Sequence, residues 1–542
     1  MNQNIILPVL TPAEVRAALL ARREIALIDV REEDPFAQAH PLFAVQISAG
    51  RVELDAPWRL PRRDVPIAVY DNGEGLAEPV ARTLVLHGYN RVHLLDGGLQ
   101  GWCESGGELF RDVNVPSKAF GELVEHELHT PSLPAEQVKA LIDRGADLAV
   151  LDVRRFDEYQ TMSIPEGISV PGAELVLQVC ELALLKPNTQ VIVNCAGRTR
   201  SIIGTQSLVN AGISNPVAAL RNGTMGWKLA GFALDGGQQR RFGPVSDIAR
   251  AAASKAAQTL ADRAGAVRLD NASLAAWVAD TTCTLYLWDV RTPEEYAAGH
   301  LPGFGSAPGG QLVQETDVFA AVRGARIVLA DGGPAGDGVR AAMTAHWLAQ
   351  MGWQVGWLTD ADPEQFTDTG PWQPVQTPTP SVTLVSPAQL ARQLRQGGTL
   401  LLDVGASAQH VKGHIPGARW VLRSQMGRAL RQVLQQVTSA DHIVVTCGTN
   451  ALACFSAADL ACLRDTPVAV LEGGTGAWAA EGRPLATGEQ ACLSPRIDRY
   501  RRPYEGTDAP REAMQGYLDW EFGLVAQLAR DGTHGFKILP AA

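Results

Sequence analysis

Cys195 closes the apolar run Val191-Ile192-Val193-Asn194 and opens Cys195-Ala196-Gly197-Arg198-Thr199-Arg200-Ser201. The residues from Ile202 to Val209 predict a helix directly after it. A thiol at a strand-to-helix turn faces free backbone N–H groups and the positive end of a helix dipole. Arg198 and Arg200 add full charges. All three effects favour thiolate over thiol, and they favour an anion beside it. The pattern predicts a cysteine nucleophile that attacks an anionic substrate. The competing reading, a buried core cysteine, does not account for the turn position or the two arginines.

The elements that must hold this loop recur. Four apolar strands end in the same kind of turn: Leu27-Ile28-Asp29-Val30-Arg31, Val150-Leu151-Asp152-Val153-Arg154, Leu287-Trp288-Asp289-Val290-Arg291 and Leu401-Leu402-Asp403-Val404-Gly405. A stretch punctuated by Pro and Gly follows, as in Gly299-His300-Leu301-Pro302-Gly303 and Gly413-His414-Ile415-Pro416-Gly417. A second strand comes later in each copy, at Ile67 to Tyr70, Val191 to Asn194, Ile327 to Ala330 and Ile443 to Thr446. Each leads into a helix, and three of these helices run to a glycine, Gly88, Gly212 or Gly352, suited to a left-handed cap. Three copies then carry a turn before tryptophan: Gly97-Gly98 to Trp102, Asn222-Gly223 to Trp227 and Gly473-Gly474 to Trp478. In the third copy only Leu358-Thr359-Asp360 remains.

Strands alternating with helices imply an α/β fold with a mainly parallel sheet in each copy. The expected units are 7–112, 130–236, 265–368 and 380–486, with a helical tail at 487–542. A helix is expected from about Ser246 in the second join, and an extended Pro/Thr-rich linker at 369–381. The tail has helical spacing from Arg511 to Arg530, with Trp520, Phe522 and Leu528 as packing candidates. It is expected to dock on the body without carrying chemistry. Copies one and two, and copies three and four, are expected to pair.

The 542 residues exceed one ordinary core, which agrees with several units. A net charge of −11 argues against a nucleic-acid binder. No apolar run reaches membrane-spanning length, and Met1-Asn2-Gln3-Asn4 lacks a signal-like start. The eight cysteines form no CxxC pair, so neither a disulfide framework nor a zinc site is expected. The expectation is a cytoplasmic protein with no membrane and no nucleic-acid partner.

Asp-Val-Arg near the start of three units and Asp-Val-Gly in the fourth, His-x-Pro-Gly, a loop after the central strand and Gly-Gly-x-x-x-Trp near the end recur in fixed order. Together they resemble the rhodanese superfamily over nearly all of residues 10–486. The resemblance implies a doubly wound α/β domain, a cysteine persulfide intermediate and thiosulfate sulfurtransferase activity. It separates the four loops. The first has Asp71 at the cysteine position and the third Asp331. A carboxylate cannot accept sulfane sulfur and repels an anion, so these copies are expected to be inactive. The fourth keeps Cys447, but Cys447-Gly448-Thr449-Asn450-Ala451-Leu452 contains no arginine, leaving it a candidate second site of doubtful activity. Only the second loop has both a thiol and basic residues.

The resemblance therefore implies double displacement at Cys195. Thiosulfate or another small sulfur donor gives its outer sulfur to the thiolate, and cyanide, a thiol or an acceptor protein takes it away. Backbone N–H groups from Ala196 and Gly197 to Ser201 would cradle the persulfide, Arg198 and Arg200 would hold the dianion, and Thr199 and Ser201 could donate hydroxyl hydrogen bonds. No cofactor or metal is required. Three alternatives stay open. A phosphatase of related fold would need Cys-x5-Arg, whereas Arg200 closes Cys-x4-Arg. A mercaptopyruvate sulfurtransferase usually has Gly-Ser-Gly after its cysteine. The chain could also be a non-catalytic sulfur-relay or partner-binding scaffold. Asp152, Arg154, His300, His414 and Trp227 are read as scaffold residues.

Overall fold

The computed structural model describes residues 6–332, 337–429, 441–463 and 466–540. It contains four five-stranded sheets, all parallel in their named pairings. In the second unit the strands are Ser132–Leu133, Leu148–Asp152, Ile168–Ser169, Gln190–Asn194 and Val217–Leu220. The first strand lies at one edge beside the fifth, then come the fourth, the second and the third. The other three sheets repeat this order. The central strand of the second unit, burying Val191, Ile192 and Val193 completely, ends at Asn194 and delivers Cys195 to the carboxyl edge of the sheet. That edge is where open α/β sheets bind ligands.

The recurrent motifs are scaffold devices. Arg154 forks Asp152 with bonds of 2.9 and 2.7 Å and donates to the Met162 carbonyl, while its backbone N–H also reaches Asp152. Arg31 with Asp29 and Arg291 with Asp289 repeat the arrangement. The fork ties a strand end to the following loop. His300 and His414 hold the carbonyls four residues before them, at 2.9 and 2.8 Å. Trp227 is fully buried and donates to the Ala233 carbonyl. Gly88, Gly212 and Gly352 all have positive φ after their helices, as the spacing predicts. The third unit has a 3-10 turn, Pro363–Gln365, where the others have the tryptophan helix.

Copies one and two pack together as expected, but copy three joins them. Units one, two and three share one continuous hydrophobic core. Tyr286 of the third unit donates to the Arg59 carbonyl of the first, and Trp347 donates to Ser207 of the second. The joining helix Asp247–Arg263, capped by Ser246 as expected, buries Ala249, Ala253, Ala257 and Ala261 between units two and three. Small side chains permit that close approach. The fourth unit has its own cores and meets the first through Arg423 on Glu53 at 2.6 and 2.8 Å. Residues 369–381 form neither helix nor strand.

The tail crosses the assembly as helices Arg511–Phe522 and Leu524–Asp531 followed by an extended end. Leu528 is buried as expected, but Met514, Tyr517 and Leu518 do most of the packing of the first tail helix. Phe522 is 54% exposed, its ring lying over the Arg198 guanidinium. No helix among the described residues is long and apolar enough to cross a membrane.

Candidate active site

The Cys195 loop is clamped from behind. The helix Gly223–Leu229 presents its first N–H groups to the loop: Thr224 donates to the Cys195 carbonyl at 2.9 Å and Met225 to the Ala196 carbonyl at 3.1 Å. Gly223, at φ +55°, makes this approach possible, because a Cβ there would lie 2.3 Å from the Cys195 carbonyl oxygen. Asn194 donates to Asp152 at 2.9 Å and fixes the strand end. The helix Thr199–Asn210 then starts at the far side of the loop.

Cys195 is 2% exposed, and its thiol bonds the Ser201 hydroxyl at 3.4 Å, which itself donates to the Arg198 carbonyl. Burial pushes the thiol pKa up, against the opposing pull of Arg200, Ser201 and the Gly197 N–H. The loop N–H groups and Arg200 pull towards the thiolate, and burial, the larger influence, pulls against them.

The two arginines part company. Arg200 carries enough field at Cys195 to favour its charged form. Its guanidinium forks Glu158 at 2.8 and 2.9 Å. Burial raises the Glu158 carboxyl, yet Arg200, Arg154 and Arg155 outweigh it and hold the pKa at about 2. Arg200 also lines a polar cavity of about 380 Å³ that holds Arg154, Arg155, Arg499 and Arg502. Asp157, Glu158 and Glu505 line it as well and pair Arg155, Arg200, Arg499 and Arg502, so an anion entering there competes with carboxylates for the guanidiniums.

Arg198 instead turns away from that cavity. Glu122 takes it in a fork of 2.7 and 2.8 Å, Glu125 binds it, and Asn222 accepts at 3.2 Å. Glu122 and Glu125 belong to the helix Val115–Leu128 that joins units one and two. The expected dianion-holding role of Arg198 is thus corrected to a structural one: it pins the loop to that helix. Thr199, beside Gly121 of the same helix, and Ser201 are both buried against protein.

Sequence reasoning missed the tail's part here. Glu521 and Tyr517 approach Gly197 of the loop, and Tyr504 lies within the field of Arg200. Tyr517 donates to one Glu521 oxygen at 3.0 Å, and the other oxygen is buried without a partner. Burial, with Glu122 nearby, pushes the Glu521 pKa to about 8. The only signal in the sequence was an acidic residue between aromatic residues on a helix. The folded protein keeps a proton on Glu521 that the unfolded chain releases near pH 4.5. Stability therefore falls as pH rises from about 5 to about 8, by an amount on the order of a few kcal/mol, and levels above that. Denaturation measured at pH 6 and 8.5 should show this loss, and Glu521→Gln should flatten it.

The other loops explain their own chemistry. Asp71 fills its cradle, accepting from the N–H groups of Gly73 at 2.9 Å, Leu76 at 2.5 Å and Ala77 at 2.9 Å. The carboxylate sits where a bound anion would. Asp331 is buried on Arg340 at 2.8 Å, and Arg340 also reaches Glu174 of the second unit. Both are built-in anions. Cys447 is 4% exposed and donates to the Thr449 carbonyl at 3.2 Å. Among the described residues no cluster of three or more His, Cys, Asp or Glu is placed to hold a metal ion.

The rhodanese-like domain family matches residues 11–105, 134–230 and 386–481. The third unit escapes that match although its sheet has the same strand order. The crystal structure of a thiosulfate sulfurtransferase from Pseudomonas aeruginosa is 62% identical, with a TM-score of 0.95, covering 98% of this chain and 100% of that one. A thiosulfate sulfurtransferase of Azotobacter vinelandii is 30% identical over 30% of this chain and 67% of its own. A putative sulfur carrier protein, YrkF of Bacillus subtilis (strain 168), is 25% identical over 24% of this chain and 78% of its own.

Proposed function

Because the chain belongs to the rhodanese-like family, we propose that it transfers sulfane sulfur from thiosulfate to a nucleophilic acceptor through a persulfide on Cys195. The observation that carries this reading is a thiol approached by the Gly197 and Ser201 N–H groups with Arg200 alongside, in the second matched segment. The relatives named as thiosulfate sulfurtransferases supply the donor.

Thiosulfate enters the arginine-lined cavity and competes with Glu158 for Arg200. The incoming dianion cannot lower the thiol pKa by its own charge. Arg200 and the loop N–H groups must do so as Cys195 loses its proton. The thiolate attacks the outer sulfur, the new S–S bond forms, the donor's S–S bond breaks and sulfite leaves with that bond's electron pair. Cys195 then carries S–S⁻, held by the same N–H groups. A thiol or cyanide attacks the outer sulfur and restores the thiolate.

Thiosulfate added without acceptor should release one sulfite per protein in a burst, with a mass gain of one sulfur atom on the Cys195 peptide. A full burst with no such gain would sink the covalent route. Absence of both would point to another donor, and mercaptopyruvate would be tried next.

A further inference from the structure

Glu521 is the anomaly at the Cys195 loop. It reaches the loop from the tail helix Arg511–Phe522 and is 1% exposed. One carboxyl oxygen accepts from the Tyr517 hydroxyl at 3.0 Å, and the other has no hydrogen-bond partner among the described residues. A buried carboxyl oxygen left alone is costly and calls for a physical reason. The free oxygen faces the loop: a Cβ built on Gly197 would lie 3.6 Å from it and 3.7 Å from the Tyr517 ring. Gly197 supplies one of the N–H groups that bond the Cys195 sulfur. Glu521 thus stands beside a group that must hold negative charge on that sulfur.

The cations that act on Glu521, Lys118 and Arg198, are both taken. Lys118 binds Asp112 at 2.5 Å and sits among the rings of Tyr504, Tyr517 and Trp520, 5.2 to 5.7 Å from their centroids. Turning to Glu521 would forfeit both the ion pair and the rings. Arg198 is forked by Glu122 and bound by Glu125. Two cations therefore already serve three carboxylates, and an ionised Glu521 adds a fourth negative charge to a buried cluster. Burial and Glu122 oppose that charge, Lys118, Arg198 and the Tyr517 hydroxyl favour it, and the balance keeps the proton up to about pH 8. Tyr504 and Tyr517 stay neutral phenols, burial pushing both of them up.

We propose that Glu521 is a positioning residue for the Cys195 reaction: as a neutral acid it seats the tail against Gly197 without opposing the negative charge that the loop must hold. This role rests on Cys195 being the sulfur-bearing nucleophile. When Glu521 gives its proton to solvent, its charge lies beside the N–H that stabilises the thiolate and the persulfide, and it works against both. The two groups titrate against each other: an ionised Glu521 pushes the thiol further up, and a thiolate pushes Glu521 further up. The tail, which lies outside the repeated units, thereby sets the alkaline limit of the chemistry in the second one.

The test reads Cys195 directly, by alkylating the full chain with iodoacetamide from about pH 6 to about pH 10, a range that spans both titrations, and following the Cys195 peptide by mass. Glu521→Gln keeps an acceptor for Tyr517 and carries no charge at any pH. As Glu521 ionises, wild type should lag behind this variant, reaching about a tenfold deficit near pH 9.5, the effect of one pKa unit at the thiol. Tyr517→Phe removes the bond that favours ionised Glu521, so its lag should begin at higher pH than that of wild type. Circular dichroism at both ends of the range reports whether each protein is folded. Parallel profiles for wild type and Glu521→Gln overturn the proposal. So does faster alkylation of wild type at the alkaline end, which would mean that the charged tail lifts away. The sulfite burst separates this role from the choice of donor: diverging alkylation without a burst keeps Glu521 in place and removes thiosulfate.

Discussion

Cys195→Ser should retain the fold and lose thiosulfate turnover by at least about 10⁴-fold, the scale on which removal of a nucleophile acts. Serine is close to isosteric, and its hydroxyl can donate to Ser201 as the thiol does over 3.4 Å. The pocket therefore has little reason to collapse. What is lost is the chemistry: an alkoxide is inaccessible at neutral pH and forms no persulfide. The sulfite burst should vanish with turnover. Cys447→Ser should leave the thiosulfate burst intact, because the fourth loop has no unpaired guanidinium to draw in a dianion. Steady-state cyanide-dependent turnover and burst sulfite in the two variants check both statements. Retained turnover in a folded Cys195→Ser protein would contradict the assignment.

Repetition made most of the fold legible. Each strand-end aspartate, each helix-ending glycine and each Gly-Gly-x-x-x-Trp turn makes its contacts within its own unit for the most part, so their order alone lays out the unit. The Cys195 loop was legible for the same reason: its clamp comes from the next turn along, Gly223 to Met225. What escaped was long-range. Glu122 and Glu125 stand more than 70 residues from Arg198, and nothing in Cys-x-x-Arg says that a joining helix will claim that charge. The tail's Glu521 comes from the far end of the chain, and Arg51 of the first unit lines a cavity at Cys447. The thiol's raised pKa was equally out of reach, since desolvation depends on which later segments cover the loop.

That long-range pairing divides two arginines that the sequence presents as equals. Arg200→Ala should lower kcat/KM for thiosulfate by about 10² to 10³, as loss of one preorganised contact to developing charge does. The effect has two parts: the donor loses its guanidinium, and Cys195 loses the positive field that opposes its burial. Glu158 also loses its fork beside the entrance, keeping only Arg154 and Arg155 nearby, and its freed charge repels the dianion. Arg200→Lys should restore part of the rate, because the point charge returns without the fork. Arg198→Ala should behave differently. Its guanidinium faces Glu122, Glu125 and the Phe522 ring, so removing it strands buried carboxylates and should cost about 3–5 kcal/mol of stability. In the fraction that stays folded, KM for thiosulfate should move little. Thermal melting separates the two variants on one axis and KM on the other. A large KM change in folded Arg198→Ala protein would return that residue to the donor site, and an unchanged kcat/KM in Arg200→Ala would remove Arg200 from it.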